Sequence, residues 1–297
     1  ASINMGYGAA GAGKRVMTSS SSPGMSLMQE GISYIACAEL PCLLVNIQRG
    51  GPGLGTIQPG QADYFQTVKG GGHGDYKLIT LAPSTVQELV DFVDLSFDIA
   101  FKYRNPVMIL ADGALGQMME KVLLPEQKER IKEVPSWATV GKSKDREKNV
   151  ITSLSLDPHH MEEINLQLQA KYRQIEKNEV RYEMTDCDDA DYVIVAYGLV
   201  ARISQKAAHL AREKGIKVGV FRPISLYPFP YEALNKLADN VKGFLDVEMN
   251  AGQMIEDVKL SVLGKKPIEF HGRMGGVIPS PEEILQKLEE KFAGELV

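Results

Sequence analysis

Short, nearly uninterrupted apolar runs recur down this 297-residue chain with helix-length gaps between them, and no other feature limits its fold so tightly. "CLLVNIQR" (42–49), "YKLITLAP" (76–83) and "PVMILAD" (106–112) are apolar on both faces. Strands buried on both sides of a parallel sheet look like this. "RVMTSS" (15–20) is a shorter candidate ahead of them. Between strands, Val86, Leu89, Val93, Phe97 and Ala100 form one stripe opposite Gln87, Asp91, Asp94, Asp98 and Lys102, which predicts an amphipathic helix over 85–103. Ser84, with Gln87 three residues on, reads as its capping box. The pattern restarts near Asp191: "YVIVAYG", a helix stopped by Gly215, then "IKVGVFRP", "GFLDVEMN" and "PIEFHGR", with helices from Gln253 and Pro281. This alternation predicts an α/β fold with mainly parallel sheets and helices on both faces.

A chain of this length suits two ordinary cores better than one. The expected division is a first domain at 1–124, a charged connector and helical arm at 125–185 around the single Trp137, and a second domain at 186–297. A net charge of -5 without a basic stripe argues against a nucleic-acid partner. No apolar run approaches the ~20 residues needed to cross a bilayer, and no basic-then-apolar leader is visible, so no membrane role and a cytoplasmic location are expected. Cys37, Cys42 and Cys187 are too few and too scattered for zinc or an iron–sulfur cluster, and no metal site is expected.

"GYGAAGAGKR" raises a nucleotide question, since Gly6, Gly8 and Gly11 fit G-x-G-x-x-G while Gly8, Gly13 and Lys14 fit most of a phosphate loop, with Arg15 where Ser or Thr belongs. Both motifs need a strand before the glycines and a helix after them. Here a helix-like segment leads into a strand, so the glycines read as room for close helix-to-sheet packing. The segment also opens without a cap, as though its first element were cut through.

Ligands of open α/β sheets sit beyond the carboxyl ends of strands, and this chain puts unusual loops there. "TSSSSPG" offers Ser19, Ser20, Ser21 and Ser22 with a turn at Gly24, a surface for polar or anionic groups or a plain capping loop. In "QRGGPGLG", Arg49 precedes Gly50 and Gly51, a guanidinium placed to grip a carboxylate bidentately beside backbone that a ligand can approach. In "KGGGHGDY", His73 and Asp75 are loop candidates or simple turn residues.

With these stretches in view, "TSSSSPGMSLMQEGISYIACAELPCLLVNIQRGGPGLGTIQPGQADY", "GGGHGDY" and "PVMILADGALGQ" closely resemble the alpha subunit of the 2-oxoacid:ferredoxin oxidoreductases, the branched-chain 2-oxoisovalerate group above all. "VIVAYG", "VFRPISLYPFP", "FLDVEMNAGQM" and "HGRMGG" are similar to the transketolase C-terminal-like domain that follows the pyrimidine-binding domain there. The resemblance implies oxidative decarboxylation of a 2-oxoacid to acyl-CoA and CO2, with coenzyme A as co-substrate and ferredoxin taking the electrons. It implies thiamine diphosphate shared with a beta subunit that binds the diphosphate and Mg2+, and iron–sulfur clusters on a partner subunit. Arg49 then matches the arginine that meets the substrate carboxylate, Ser19 to Ser22 with Gly24 line the thiamine side, and Gly50, Gly51, His73 and Asp75 become substrate-loop candidates. The family's activating glutamate falls just before Ala1, so the chain is expected to be inactive alone. Glu30 and Glu39 come too late to replace it. Met25, Leu27 and Met28 are expected at a subunit interface. A 2-oxoglutarate- or pyruvate-specific member, and a non-catalytic scaffold or assembly subunit, stay open.

Overall fold

The computed structural model describes residues 1–126, 133–142 and 144–292. In chain order the first elements are α1 (Ser2–Gly11), β1 (Met17–Ser20), α2 (Pro23–Ser26), α3 (Gln29–Cys37), β2 (Cys42–Gln48), α4 (Tyr64–Val68), β3 (Ile79–Leu81), α5 (Val86–Tyr103), β4 (Pro106–Asp112), a 3-10 turn at Leu115–Gln117 and α6 (Pro158–Asn178). There follow β5 (Tyr182–Thr185), β6 (Tyr192–Val195), α7 (Gly198–Glu213), β7 (Val218–Pro223), β8 (Ser225–Tyr227), α8 (Tyr231–Leu237), β9 (Gly243–Glu248), α9 (Met254–Val262), β10 (Ile268–Gly272) and α10 (Pro281–Phe292). Part of the expected connector, 127–132 and 143, lies outside the described residues.

Among the described residues two five-stranded sheets result, in the orders β1-β2-β4-β3-β8 and β10-β9-β6-β7-β5. Every pairing is parallel except β3–β8 and β5–β7. The apolar runs are strands because both their faces are covered: Leu43, Val107 and Ile109 pack under α5, while Cys42, Leu44, Met108 and Leu110 face the core around α3. The first and third strands are shorter than their apolar runs. Tyr76 and Leu78 are buried as packing residues, and the Lys77 carbonyl accepts from the Asn105 side chain at 3.0 Å. β8, only three residues long, leaves the second sheet after β7 and closes the edge of the first.

Details of α1 and α5 differ from expectation. The glycines do lie in a helix that precedes a strand, which is the wrong order for a nucleotide loop. A Cβ at Gly6 or Gly8 would meet open space, however; the close approach is at Gly31 of α3, where a Cβ would lie 2.7 Å from Ile3. α5 is capped one residue later than predicted. Thr85 accepts from the Glu88 N–H at 3.1 Å, and Glu88 reaches back to the Ser84 N–H at 2.7 Å. The box is therefore Thr85 with Glu88, which frees the Ser84 hydroxyl to accept from Arg222 at 2.7 Å. Trp137 ties the connector to α5, with the Arg104 guanidinium 5.0 Å from its ring centroid.

Candidate functional site

Side chains alternate along a strand, so in β2 Asn46 and Gln48 face the same way as Cys42 and Leu44. Two polar residues at the carboxyl end of an apolar strand need partners if buried. Both find them in the loops above the sheet. The Ser22 N–H donates to Asn46 Oδ1 at 3.1 Å, Asn46 Nδ2 donates to Asp63 Oδ2 at 2.9 Å, and the Asp63 N–H donates to Gln48 Oε1 at 3.1 Å. The Ser22 hydroxyl donates to Asp63 Oδ2 at 2.6 Å and accepts the Arg49 N–H at 3.1 Å. These bonds hold Ser22 at φ 29°, in the left-handed region that a non-glycine residue enters only when its surroundings fix it there.

Beyond Arg49 the glycine-rich loop folds back on itself. Gly50 N–H donates to Gln58 O and Thr56 N–H to Gly50 O, both at 2.8 Å, and Arg49 bridges to Pro59. A Cβ on Gly50 would lie 2.6 Å from the Gly275 backbone, and one on Gly276 would lie 2.4 Å from Gln58, so loops from the two sheets touch with no side chain between them. Gln61 completes the joint: its N–H donates to Met249 O, its Oε1 accepts from Met249 N–H and its Nε2 donates to Tyr197 O, each at 3.0 Å.

At this joint lies a cavity of about 400 Å³ whose walls include Ser22, Arg49, Asp63, Met249, Asn250 and Met274. A second cavity of about 370 Å³, lined by Ser21, Ile47, Ile57, Gly113 and Gln117, shares Arg49 as a wall. The Arg49 Nε is buried with no hydrogen-bond acceptor, and among the described residues its guanidinium makes no ion pair. A buried donor left in this state calls for an anionic or carbonyl acceptor from a ligand. Polar groups at Ser22 and Asp63, with the apolar thioether chains of Met249 and Met274 beside them, suit a planar polar heterocycle such as an aminopyrimidine. Among the described residues no group of three or more His, Cys, Asp or Glu side chains is placed to hold a metal ion.

The sequence-predicted residues separate here. Ser22, Arg49, Gly50 and Gly51 line the first cavity and Ser21 the second. Ser19 is exposed on the edge strand β1, and Gly24 packs on Ser20, whose Oγ a Cβ would approach to 2.0 Å. His73 and Asp75 do not join the site. They are exposed on a loop that rests on Gln29 and on Tyr76, whose hydroxyl accepts from Gly72 N–H at 3.0 Å, and the Asp75 carbonyl accepts from Gln169. Met25 is fully buried, whereas Leu27 is 88% exposed. Sequence reasoning missed Asn46, Asp63, Gln61 and Asn250, although polar letters inside "CLLVNIQ" and "FLDVEMN" were a signal.

Residues 1–186 match the family model described as "Pyruvate flavodoxin/ferredoxin oxidoreductase, thiamine diP-bdg", and 190–284 match "Pyruvate:ferredoxin oxidoreductase core domain II". The ketoisovalerate oxidoreductase subunit VorB of Methanothermobacter marburgensis is 52% identical over 295 residues, covering 99% of this chain and 83% of that one. The 2-oxoglutarate synthase subunit KorA of Methanocaldococcus jannaschii is 36% identical over 309 residues, covering 95% and 82%. Among solved structures, the 2-oxoglutarate:ferredoxin oxidoreductase from Magnetococcus marinus, with 2-oxoglutarate, coenzyme A and succinyl-CoA bound, superposes with a TM-score of 0.80 at 25% identity. That match covers 97% of this chain, which spans about half, 55%, of the solved chain's length. A split-gene transketolase, an inactive beta4 tetramer, shares the fold at a TM-score of 0.60 and 14% identity, covering 99% of this chain and 82% of that one.

Proposed function

Because the chain belongs to the pyruvate flavodoxin/ferredoxin oxidoreductase family, we propose that it is the subunit of a 2-oxoacid:ferredoxin oxidoreductase that forms the pyrimidine side of a thiamine diphosphate site, acting on a branched-chain 2-oxoacid such as 2-oxoisovalerate. The unpartnered Arg49 between two cavities carries this reading. Likeness to the VorB chains over nearly the whole sequence favours a branched substrate over 2-oxoglutarate.

Thiamine diphosphate, when bound, supplies the carbon nucleophile and the electron sink that decarboxylation of a 2-oxoacid requires. The chain's own groups do the positioning. Arg49 pairs with the substrate carboxylate, a charge-assisted contact strengthened by partial burial, and fixes the ketone for attack. Asp63 holds the Ser22 hydroxyl, and that hydroxyl holds the Arg49 backbone. Ser22 and Asp63 would hold the aminopyrimidine edge, and Met249 and Met274 would pack against its faces. Diphosphate and Mg2+ fall to a beta subunit in this reading, and electrons leave through iron–sulfur centres of a partner toward ferredoxin. Exposed Leu27, Leu54 and Ile57 give the partner an apolar surface beside the site. Activity would then require the assembled complex.

The test is thiamine- and CoA-dependent dye reduction by the chain assembled with its partner subunits. The expected result is a rate with 2-oxoisovalerate well above those with 2-oxoglutarate and pyruvate. Arg49→Ala should raise the oxoacid KM about a hundredfold or more, as loss of a charge-assisted pair implies, and leave the CoA KM alone. Equal oxoacid KM values in variant and wild type would remove Arg49 from the substrate site.

A further inference from the structure

The second sheet contributes its share of the cavity wall through one buried acid. Glu248 ends β9 with no exposed surface. Its Oε1 accepts the N–H groups of Gln253 at 3.0 Å and Ile255 at 3.1 Å. Its Oε2 accepts the Met254 N–H at 2.9 Å and Asn250 Nδ2 at 2.7 Å. Every one of these four partners is a donor, so both carboxyl oxygens serve as acceptors at the positive end of α9.

The turn it organises is the wall itself, because Met249, Asn250, Ala251 and Gln253 all line the cavity. The bonds continue across the joint. Asn250 Nδ2 also donates to Gln61 O at 2.8 Å, and Gln253 Nε2 donates to Ala62 O at 2.9 Å. The Phe65 N–H donates back to Gln253 Oε1 at 2.8 Å. Gln61 and Ala62 lie directly before Asp63, which holds Ser22 and through it Arg49. The Glu248 carbonyl also accepts the Arg273 N–H at 3.1 Å, next to Met274 and Gly275 on the same wall.

We infer that Glu248 is a positioning residue for the Arg49 site: its carboxylate fixes the β9–α9 turn, and the Asn250–Gln61 and Gln253–Ala62 contacts transmit that order to the glycine-rich loop on the other sheet. The kinetic consequence rests on the 2-oxoacid reading above; the structural consequence does not.

Glu248→Gln separates the two. An amide offers one acceptor oxygen and turns an NH2 toward backbone N–H groups, so at least one donor of the turn loses its partner. Hydrogen exchange in the assembled protein should then show faster exchange both at 249–255 and at 50–61, the second region lying on a different sheet. In the assay, the variant should raise the oxoacid KM about tenfold, the effect of a loosened carboxylate grip, with a smaller change in kcat. Glu289→Gln on α10, whose carboxylate bonds Lys214 and lies outside this bond set, should leave both readouts at wild-type values. Faster exchange confined to 249–255 with an unchanged KM would reduce Glu248 to a helix cap and overturn the inference. Should Glu248→Gln not assemble, Asn250→Ala cuts the relay while sparing the acid. It must speed exchange at 50–61, and normal protection there overturns the inference equally. Absence of all 2-oxoacid activity in the wild-type complex would refute the functional reading and leave the exchange result to decide this one.

Discussion

Gly55 and Gly51 are four residues apart in one loop, yet their tolerance of a methyl group differs. Gly55 has φ +63°, and a Cβ there would lie 1.9 Å from the Gly50 carbonyl oxygen; at Gly51 a Cβ meets nothing within 4 Å. The clash is with backbone that also packs on Gly275, so it has nowhere to relax. Gly55→Ala should lower stability by about 1–3 kcal/mol, the range for a side chain forced into a left-handed position plus local strain. Gly51→Ala should stay within about 0.5 kcal/mol, as an open surface position does. Urea denaturation of both variants checks the pair, and equal losses would mean that crowding at Gly50 is not what fixes the loop. Only the glycine richness of this loop was legible in the sequence, because the crowding comes from residues 275 and 276, distant along the chain. Arg49 was legible for another reason. A guanidinium ending an apolar strand is conspicuous, whereas Asp63 looks like any loop aspartate until Asn46 and Ser22 are seen to converge on it.

At the scale of elements, legibility followed burial. β2 and β4 could be read from sequence because each is covered on both faces and so is written in apolar letters throughout. β5 and β8 could not, being four and three residues long and paired antiparallel with strands whose position only the tertiary fold decides. The one-residue shift in the α5 cap shows how neighbours choose between equivalent sequences. Ser84 and Thr85 can both cap, but Arg222 claims the Ser84 hydroxyl, and Thr85 takes the cap. Thr85→Ala should therefore cost about 1 kcal/mol, the usual worth of an N-cap. Ser84→Ala should cost more, since it leaves a buried Arg222 donor one acceptor short. Chemical denaturation of the two variants orders them, and a larger loss from Thr85→Ala would contradict the assignment.

Across the whole molecule, two acids, half-buried Glu88 on α5 and fully buried Asp246 on β9, respond to pH in opposite directions. Glu88 on α5 receives the Arg222 guanidinium of β7 bidentately, at 2.7 and 2.8 Å, and so joins the sheets. Burial alone would raise its pKa, but the bonds from Arg222 and Ser84 prevail and hold the carboxyl below its ordinary value. Its contribution is thus present above the unfolded pKa, about 4.3, and is lost as pH falls through the lower folded value. Asp246 on β9 is fully buried, and its interaction partner there is another acid, the Glu248 carboxyl two residues on, a contact that only a protonated Asp246 can make as a hydrogen bond. Burial first, and then the negative charge of Glu248, push its pKa well up, against a smaller opposing pull from Lys259 on α9. Well below its unfolded pKa of about 3.9 it is protonated in both folded and unfolded chains and favours neither. As pH rises, the unfolded chain releases the proton and the folded one keeps it, so stability falls until the folded pKa is passed. Asn cannot titrate and nearly matches a protonated Asp in shape. Asp246→Asn should accordingly raise stability at pH 7 and change it by less at pH 4, a difference that only linkage of this sign produces. Urea melts of wild type and variant at the two pH values read it directly. A loss at pH 7 would mean that Asp246 is charged in the folded protein, held by a partner that the buried strand itself does not supply.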